Sequence, residues 1–169
     1  MTVTDENIPS NFKNGDTNIS KIEFSDDVKS IGACAFFRCY NLSEVKFSNS
    51  IKEIGNDAFY KCINLKEAIL PDNLETIPVE CFHRCFAMSN LVLPMHLKKI
   101  DFLAFDSCYK LKYIYFPEST EELCYGAFSN CTSLQKIRIS NRLYSKIEGD
   151  FEKIFTNCHN LENIECYGD

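Results

Sequence analysis

The stretch from Ile31 to Glu53, IGACAFFRCYNLSEVKFSNSIKE, recurs along this chain at a spacing of 23 residues. Further copies begin at Ile54, Ile77, Ile100 and Leu123. A fixed period of this size specifies a stack of equivalent coils, a solenoid, before any local propensity is consulted. One copy has roughly seven inward side chains, each contributing about 1.5–3 kcal/mol on burial. Ordering its backbone costs about 1–2 kcal/mol per residue. A lone coil cannot fold on those terms, so the copies must share faces and strand hydrogen bonds.

The period divides the chain. Residues 1–18 show no repeat and are rich in Asn, Asp, Thr and Ser, which reads as a flexible leader or an N-terminal cap. The repeat domain is expected over 19–169. It opens with a half repeat, 19–30, in which Ile19, Ile22, Phe24 and Val28 take the slots of Leu42, Val45, Phe47 and Ile51. Full repeats follow, and a last one, 147–169, resumes after about three extra residues. Inside each repeat, L-x-x-V-x-F ends in period-2 alternation and predicts a short strand with one buried face. A Pro or Ser (Ser48, Pro71, Pro94, Pro117, Ser140) closes it. The apolar pair that follows, such as Ile51 and Ile54, suits a second short extended stretch or a turn. The segment A-F-x-x-C-x-x-L spaces apolar residues by three and predicts one helical or 3₁₀ turn.

With 169 residues the chain has one domain's worth of length. A net charge of −6 argues against a nucleic-acid surface. No apolar run approaches the ~20 residues of a membrane-spanning helix. The N-terminal residues have neither a basic region nor an apolar core, so no signal peptide is recognised and the cytoplasm is the expected compartment. The chain has 10 cysteines. Cys39, Cys62, Cys85, Cys108 and Cys131 recur once per coil, and Cys158 fills the same slot in the last copy. That is a packing column of small buried hydrophobes, expected to be reduced.

The pattern I-G-x-x-A-F-x-x-C-x-x-L-x-x-V-x-F-P-x-x-L, running from Ile19 to Asp169, resembles the BspA-like leucine-rich repeat. Local departures are Pro78, Asp101 and Cys124 in the Gly slot of Gly32 and Gly55, Ala68 for a large strand residue, and Thr120 for an apolar one. The resemblance implies a right-handed leucine-rich-repeat coil. It has a parallel sheet on its concave face, with short turns, strands or 3₁₀ turns on the convex side. It also implies binding to proteins or surfaces, as in adhesins and surface antigens, which sets a cell-surface location beside the cytoplasmic one.

No chemical motif stands out from the repeat. In Cys81-Phe82-His83-Arg84-Cys85 the cysteines occupy core slots and His83 a variable one, whereas zinc needs about four convergent ligands. Cys34 and Cys124 lie outside the column with no base placed beside them. His96 and His159 fall in turn or surface slots. There is no G-x-S-x-G, phosphate-binding Gly loop or H-E-x-x-H, so no enzyme, metal or cofactor is expected. Glu44 and Glu67 should be neighbours on adjacent strands, with Lys46 and Lys66 close by, and read as solvated charges.

The outward strand positions carry more information. One column reads Glu23, Lys46, Ile69, Val92, Tyr115, Arg138, Glu165, and the other Lys21, Glu44, Glu67, Asn90, Tyr113, Lys136, Asn163. The sheet is apolar and aromatic in its middle and charged at its ends, and Tyr and Arg dominate binding hot spots. Lys46, Ile69, Val92, Tyr113, Tyr115 and Arg138 are therefore the candidate contact residues for a protein partner. The other reading is a structural module that assembles end to end, because Leu161, Ile164 and Cys166 of the last strand have no further coil to cover them.

Overall fold

The computed structural model describes residues 1–168; Asp169, counted in the last repeat above, lies outside the described residues. The chain winds into a parallel β-solenoid of about 7 turns of roughly 23 residues. Each coil lays one strand on a main sheet, such as Lys21–Phe24, Glu44–Lys46, Glu67–Ile69, Asn90–Val92, Tyr113–Tyr115 and Lys136–Ser140. A two-residue strand follows on a second ladder, from Ser30–Ile31 through Glu53–Ile54, Thr76–Ile77 and Lys99–Ile100 to Glu122–Leu123. Partners are one period apart, as in Lys21 with Glu44 and Tyr113 with Lys136. Alternation sorts the main strands as expected: Ile22, Val45, Ala68, Leu91, Ile114 and Ile137 are buried while their neighbours face water.

The core is a set of columns. The rings of Phe36, Phe59, Phe82, Phe105 and Phe128 are fully buried and stack at 5.2–5.4 Å with interplanar angles of 2–13°. Phe155 continues the column at 5.6 Å. The spacing is close to the ~4.8 Å separation of hydrogen-bonded strands, so each ring settles offset on the one below.

The cysteine column does more than fill space. Each thiol donates to the carbonyl in the Phe slot of the preceding coil: Cys62 to Phe36 O at 3.2 Å, Cys85 to Phe59 O at 3.4 Å, Cys108 to Phe82 O at 3.5 Å and Cys131 to Phe105 O at 3.4 Å. A wholly apolar residue would leave that contact unmade, and a larger one would not fit among residues that are 0% exposed. Burial raises these thiols well above the ordinary range, and Cys39 reaches about 11. Cys158 departs from the expected burial and is half-buried.

The A-F-x-x-C segment is a turn built differently from the helical or 3₁₀ turn its spacing suggests. Two residues per coil take left-handed backbone conformations. One column is Asn11, Cys34, Asp57, Glu80 and Leu103, continued by Gly126; the other is Arg38, Lys61, Arg84, Ser107 and Asn130, preceded by Gly15. Their φ values lie between 52° and 74°. This winding aims alternate N–H groups at the next coil, as in Cys34 N to Asn56 O at 2.9 Å, Phe36 N to Ala58 O at 2.8 Å and Arg38 N to Tyr60 O at 2.7 Å. The inter-coil bonds offset a left-handed cost of about 1–2 kcal/mol per residue.

Residues 1–18, marked off above as a leader or cap, lie as a further coil of the stack, 21 residues from the next on the main sheet and 23 on the second ladder. Thr2–Val3 pairs with Glu23–Phe24, and Asn7–Ile8 with Ser30–Ile31. Val3 and Ile8 are buried, and Lys13 N donates to Ala35 O at 2.7 Å. At the other end the step lengthens to 27, because Lys136 pairs with Asn163. The additional residues form helix α1, Asn141–Ile147, capped by the Ser140 hydroxyl, and helix α2, Phe151–Ile154. Ile147, expected to open the last repeat, is instead buried in α1. Carbonyls of Lys153 and Ile154 still receive Gly126 N and Phe128 N, so the turn column survives the insertion.

Candidate binding face

The main sheet presents its outward side chains as two columns, and the apolar ones meet in the middle. Ile69 and Val92 oppose each other directly across paired strands. Tyr113 and Tyr115 occupy the next strand, opposite Lys136 and Arg138. Ile69 is 55% exposed, Val92 45%, Tyr113 47% and Tyr115 55%. These large apolar side chains lie outside the buried core, and their clustering on one face distinguishes them from scattered surface residues.

The charged residues at the borders are engaged. Lys46 Nζ lies 2.5 Å from Glu23 Oε1, and Lys21 Nζ 2.6 Å from Glu44 Oε2. The hydrogen bond and charge of Lys21 hold the Glu44 carboxyl below the usual range, so the partner of Glu44 is Lys21 rather than Lys46 or Lys66. Arg138 Nε lies 3.3 Å from Glu165 Oε1, and its guanidinium sits 4.8 Å over the ring of Tyr167. The Tyr167 hydroxyl in turn donates to Phe116 O at 2.6 Å. Arg138 is thus held from two sides at the patch edge. Sequence reasoning misses Tyr167, because it falls beyond the last recognisable repeat slot.

The structure therefore brings Ile69, Val92, Tyr113, Tyr115 and Arg138 into one continuous area. Lys46 lies one strand further out, across a gap in the ladder described below. Beside Tyr113 a groove of about 320 Å³ is lined by Gln135, Lys136, Asn160, Glu162 and Asn163.

His83 belongs to a different cluster. Its Nδ1 is 2.8 Å from Glu80 Oε2 and its Nε2 2.8 Å from Asp106 Oδ2, the second contact off the line of a good hydrogen bond. Asp106 Oδ1 accepts from Asn130 Nδ2 at 2.7 Å and from Ser107 Oγ at 3.2 Å. Burial alone would lower the His83 pKa, but Asp106 and Glu80 outweigh it and hold the imidazole above its ordinary value. With both ring nitrogens facing carboxylates, His83 has no free nitrogen to act as a base or ligand. The signal was available: Glu80 lies three residues before His83 and Asp106 one period after it. Among the described residues no group of three His, Cys, Asp or Glu side chains is arranged to hold a metal ion. Nor is any helix among the described residues long and apolar enough to cross a membrane.

A stack of 23-residue coils with one strand-borne face and a Phe–Cys turn column defines a leucine-rich repeat protein. The family model described as a BspA type leucine rich repeat region, with 6 copies, matches residues 6–135 and 75–169, and the chain belongs to that family. Solved structures agree. A leucine rich repeat protein of T. pallidum aligns at TM-score 0.56 and 22% identity over 94% of this chain and 62% of its own. A leucine-rich repeat protein from Eubacterium ventriosum aligns at TM-score 0.63 and 28% identity over 66% of this chain and 30% of its own. A leucine rich cell surface protein from Faecalibacterium prausnitzii aligns at TM-score 0.52 and 17% identity over 100% of this chain and 79% of its own. The chain thus spans less than two thirds of the length of the first two. No curated protein gives a significant match.

Proposed function

We propose that this chain is a non-enzymatic protein-binding module that engages its partner through the main sheet. The observation that carries this reading is the exposure of Ile69, Val92, Tyr113 and Tyr115 together on successive strands of the main face. Tyr115, beside the anchored Arg138, is the anticipated hot spot, and Lys46 contributes at the rim. Display on a cell surface, as for the F. prausnitzii protein, is the companion proposal.

The test begins with capture of partners from the native source, followed by calorimetry with the purified partner. Tyr115→Ala should weaken binding by about 1–4 kcal/mol, the range for truncation of a central anchor. Thermal stability should stay nearly constant, because the ring is half in water already. Full affinity in the Tyr115→Ala and Ile69→Glu variants would overturn the assignment.

A second reading rests on the last strand. Asn163–Tyr167 pairs on one side with Lys136–Ser140 and Ile164 is 36% exposed, which supports a repeat module that assembles end to end.

A further inference from the structure

The two strand ladders are not continuous. On the main sheet, pairing runs from Thr2–Val3 to Glu44–Lys46, then links Glu67–Ile69 with Asn90–Val92, then runs from Tyr113–Tyr115 to Asn163–Tyr167. On the second ladder it runs from Asn7–Ile8 to Glu53–Ile54 and from Thr76–Ile77 to Glu122–Leu123. One junction is interrupted on both ladders: the coil of Glu44–Lys46 and Glu53–Ile54 against the coil of Glu67–Ile69 and Thr76–Ile77.

Residue 78 explains the break on the second ladder. At the other junctions the residue in this slot donates its N–H backward: Gly32 to Ile8 O at 2.8 Å, Gly55 to Ile31 O at 2.7 Å, Asp101 to Ile77 O at 2.9 Å and Cys124 to Ile100 O at 2.9 Å. Pro78 has no N–H to give Ile54 O. The neighbouring bond is missing as well. Lys52 N reaches Lys29 O and Lys98 N reaches Glu75 O, but neither Glu75 N nor Thr76 N bonds Lys52 O among the described residues. Gly55 also sits so close to the preceding coil that a Cβ there would lie 2.3 Å from Ala33 N, an approach a proline ring cannot repeat.

On the main sheet the same junction places Glu44 beside Glu67, like charges in one column. It also sets the small Ala68 where the other coils have Val45, Leu91 or Ile114. Space opens on the second-ladder side of the junction, where a cleft of about 570 Å³ is lined by Lys52, Glu53, Asn73, Glu75, Thr76 and Pro78.

The turn column, by contrast, is intact here. Asp57 N, Phe59 N and Lys61 N bond Val79 O, Cys81 O and His83 O at 3.0, 2.9 and 2.8 Å, and Phe59 stacks on Phe82 at 5.3 Å. The ties left towards the strand side include Asn64 Nδ2 to Tyr40 O at 2.8 Å, Lys66 N to Ser43 O at 3.3 Å and the exposed Asn49, which receives Asp72 N and Asn73 Nδ2.

We infer that this junction is a built-in hinge. The coils before it and the coils after it are two blocks that open like a book about the turn column, widening the cleft beside Pro78. The movement changes the angle between the Lys46 strand and the Ile69 strand, so it alters the curvature of the sheet beside the exposed apolar patch. It does not depend on what that patch binds.

Hydrogen exchange with mass spectrometry on the full chain tests this. The amides of Glu75 and Thr76 should exchange faster than Lys98 and Lys99, their counterparts one coil on. Pro78→Ala restores the donor to Ile54 O and should slow Glu75 and Thr76 by about three- to tenfold, the effect of one backbone hydrogen bond. In the converse variant, Asp101→Pro, the same loss of protection should appear at Lys98 and Lys99. If wild-type exchange at 75–76 matches that at 98–99, the inference fails whatever the variants do. Unchanged exchange in a folded Pro78→Ala protein would also overturn it.

Discussion

Among the buried polar groups of this protein, the His83 cluster is placed by the period. His83 meets Asp106 because they stand one repeat apart, and Glu80 because it lies one turn earlier. The pair has a pH signature. The folded pKa of His83 is raised, so its contribution is complete below the unfolded value of about 6.5 and is lost as pH rises through the folded value. Burial alone would raise the Asp106 carboxyl, but His83 and Asn130 bring it below its ordinary value. Its contribution is therefore complete above an unfolded pKa of about 3.9 and is lost as pH falls through the folded one. Both act fully between these limits. Chemical denaturation at about pH 6 and pH 8 should show wild type losing stability as pH rises, while His83→Gln loses less over the same step. Equal losses in the two proteins would show that the cluster does not titrate as a unit. Thr120, by contrast, is buried with its hydroxyl unpartnered in a column of leucines and isoleucine, and nothing in the structure compensates for it.

Among the elements, the strands are the legible part of this fold and the turns are not. Period-2 alternation separates Ile22 from Glu23 and Ile114 from Tyr115 without ambiguity, so the candidate face can be read from the sequence down to its residues. Nothing in Arg38, Lys61 or Leu103 announces a positive φ, since their side chains favour the right-handed region as strongly as any. The conformation comes from the stack, through N–H groups that must reach the next coil. The first coil escapes notice because Val3, Ile8 and Phe12 alone mark its slots. Arg84 offers a direct check. Its φ is 61°, its backbone N donates to Asp106 O, and its side chain is exposed. Arg84→Gly should leave stability unchanged or raise it by up to about 1 kcal/mol, because glycine enters this region without the steric cost. Glycine in a regular strand would cost about 0.5–1 kcal/mol instead. A loss of that size at Arg84 would mean the turn does not set the cost.

For the whole molecule, each coil depends on its neighbours, and stability should vary along the stack. Asn163–Tyr167 is paired on one side and its residues 163–166 are exposed; beyond the ladder it is tied by Tyr167 to Phe116 and by Glu165 and Tyr167 to Lys136 and Arg138, all on the side already paired, with Asn141 reaching Gly168 just after it. Amides of 163–166 should be among the least protected in dilute protein and gain protection with concentration if copies pair there. Strong protection independent of concentration would show that the edge is already sealed and would remove the end-to-end reading. The phenylalanine column has a consequence of another kind. With one ring per coil at 5.2–5.6 Å, the molecule has a metre. Each added unit of 23 residues lengthens the body by one step of about 5 Å and adds one rung to the face. A helix of that many residues would run about 35 Å. Reach is therefore available only in whole steps, and a chain gaining any other number of residues must shed the difference outside the column. Here α1 carries that difference, and Phe155 still lands on Phe128.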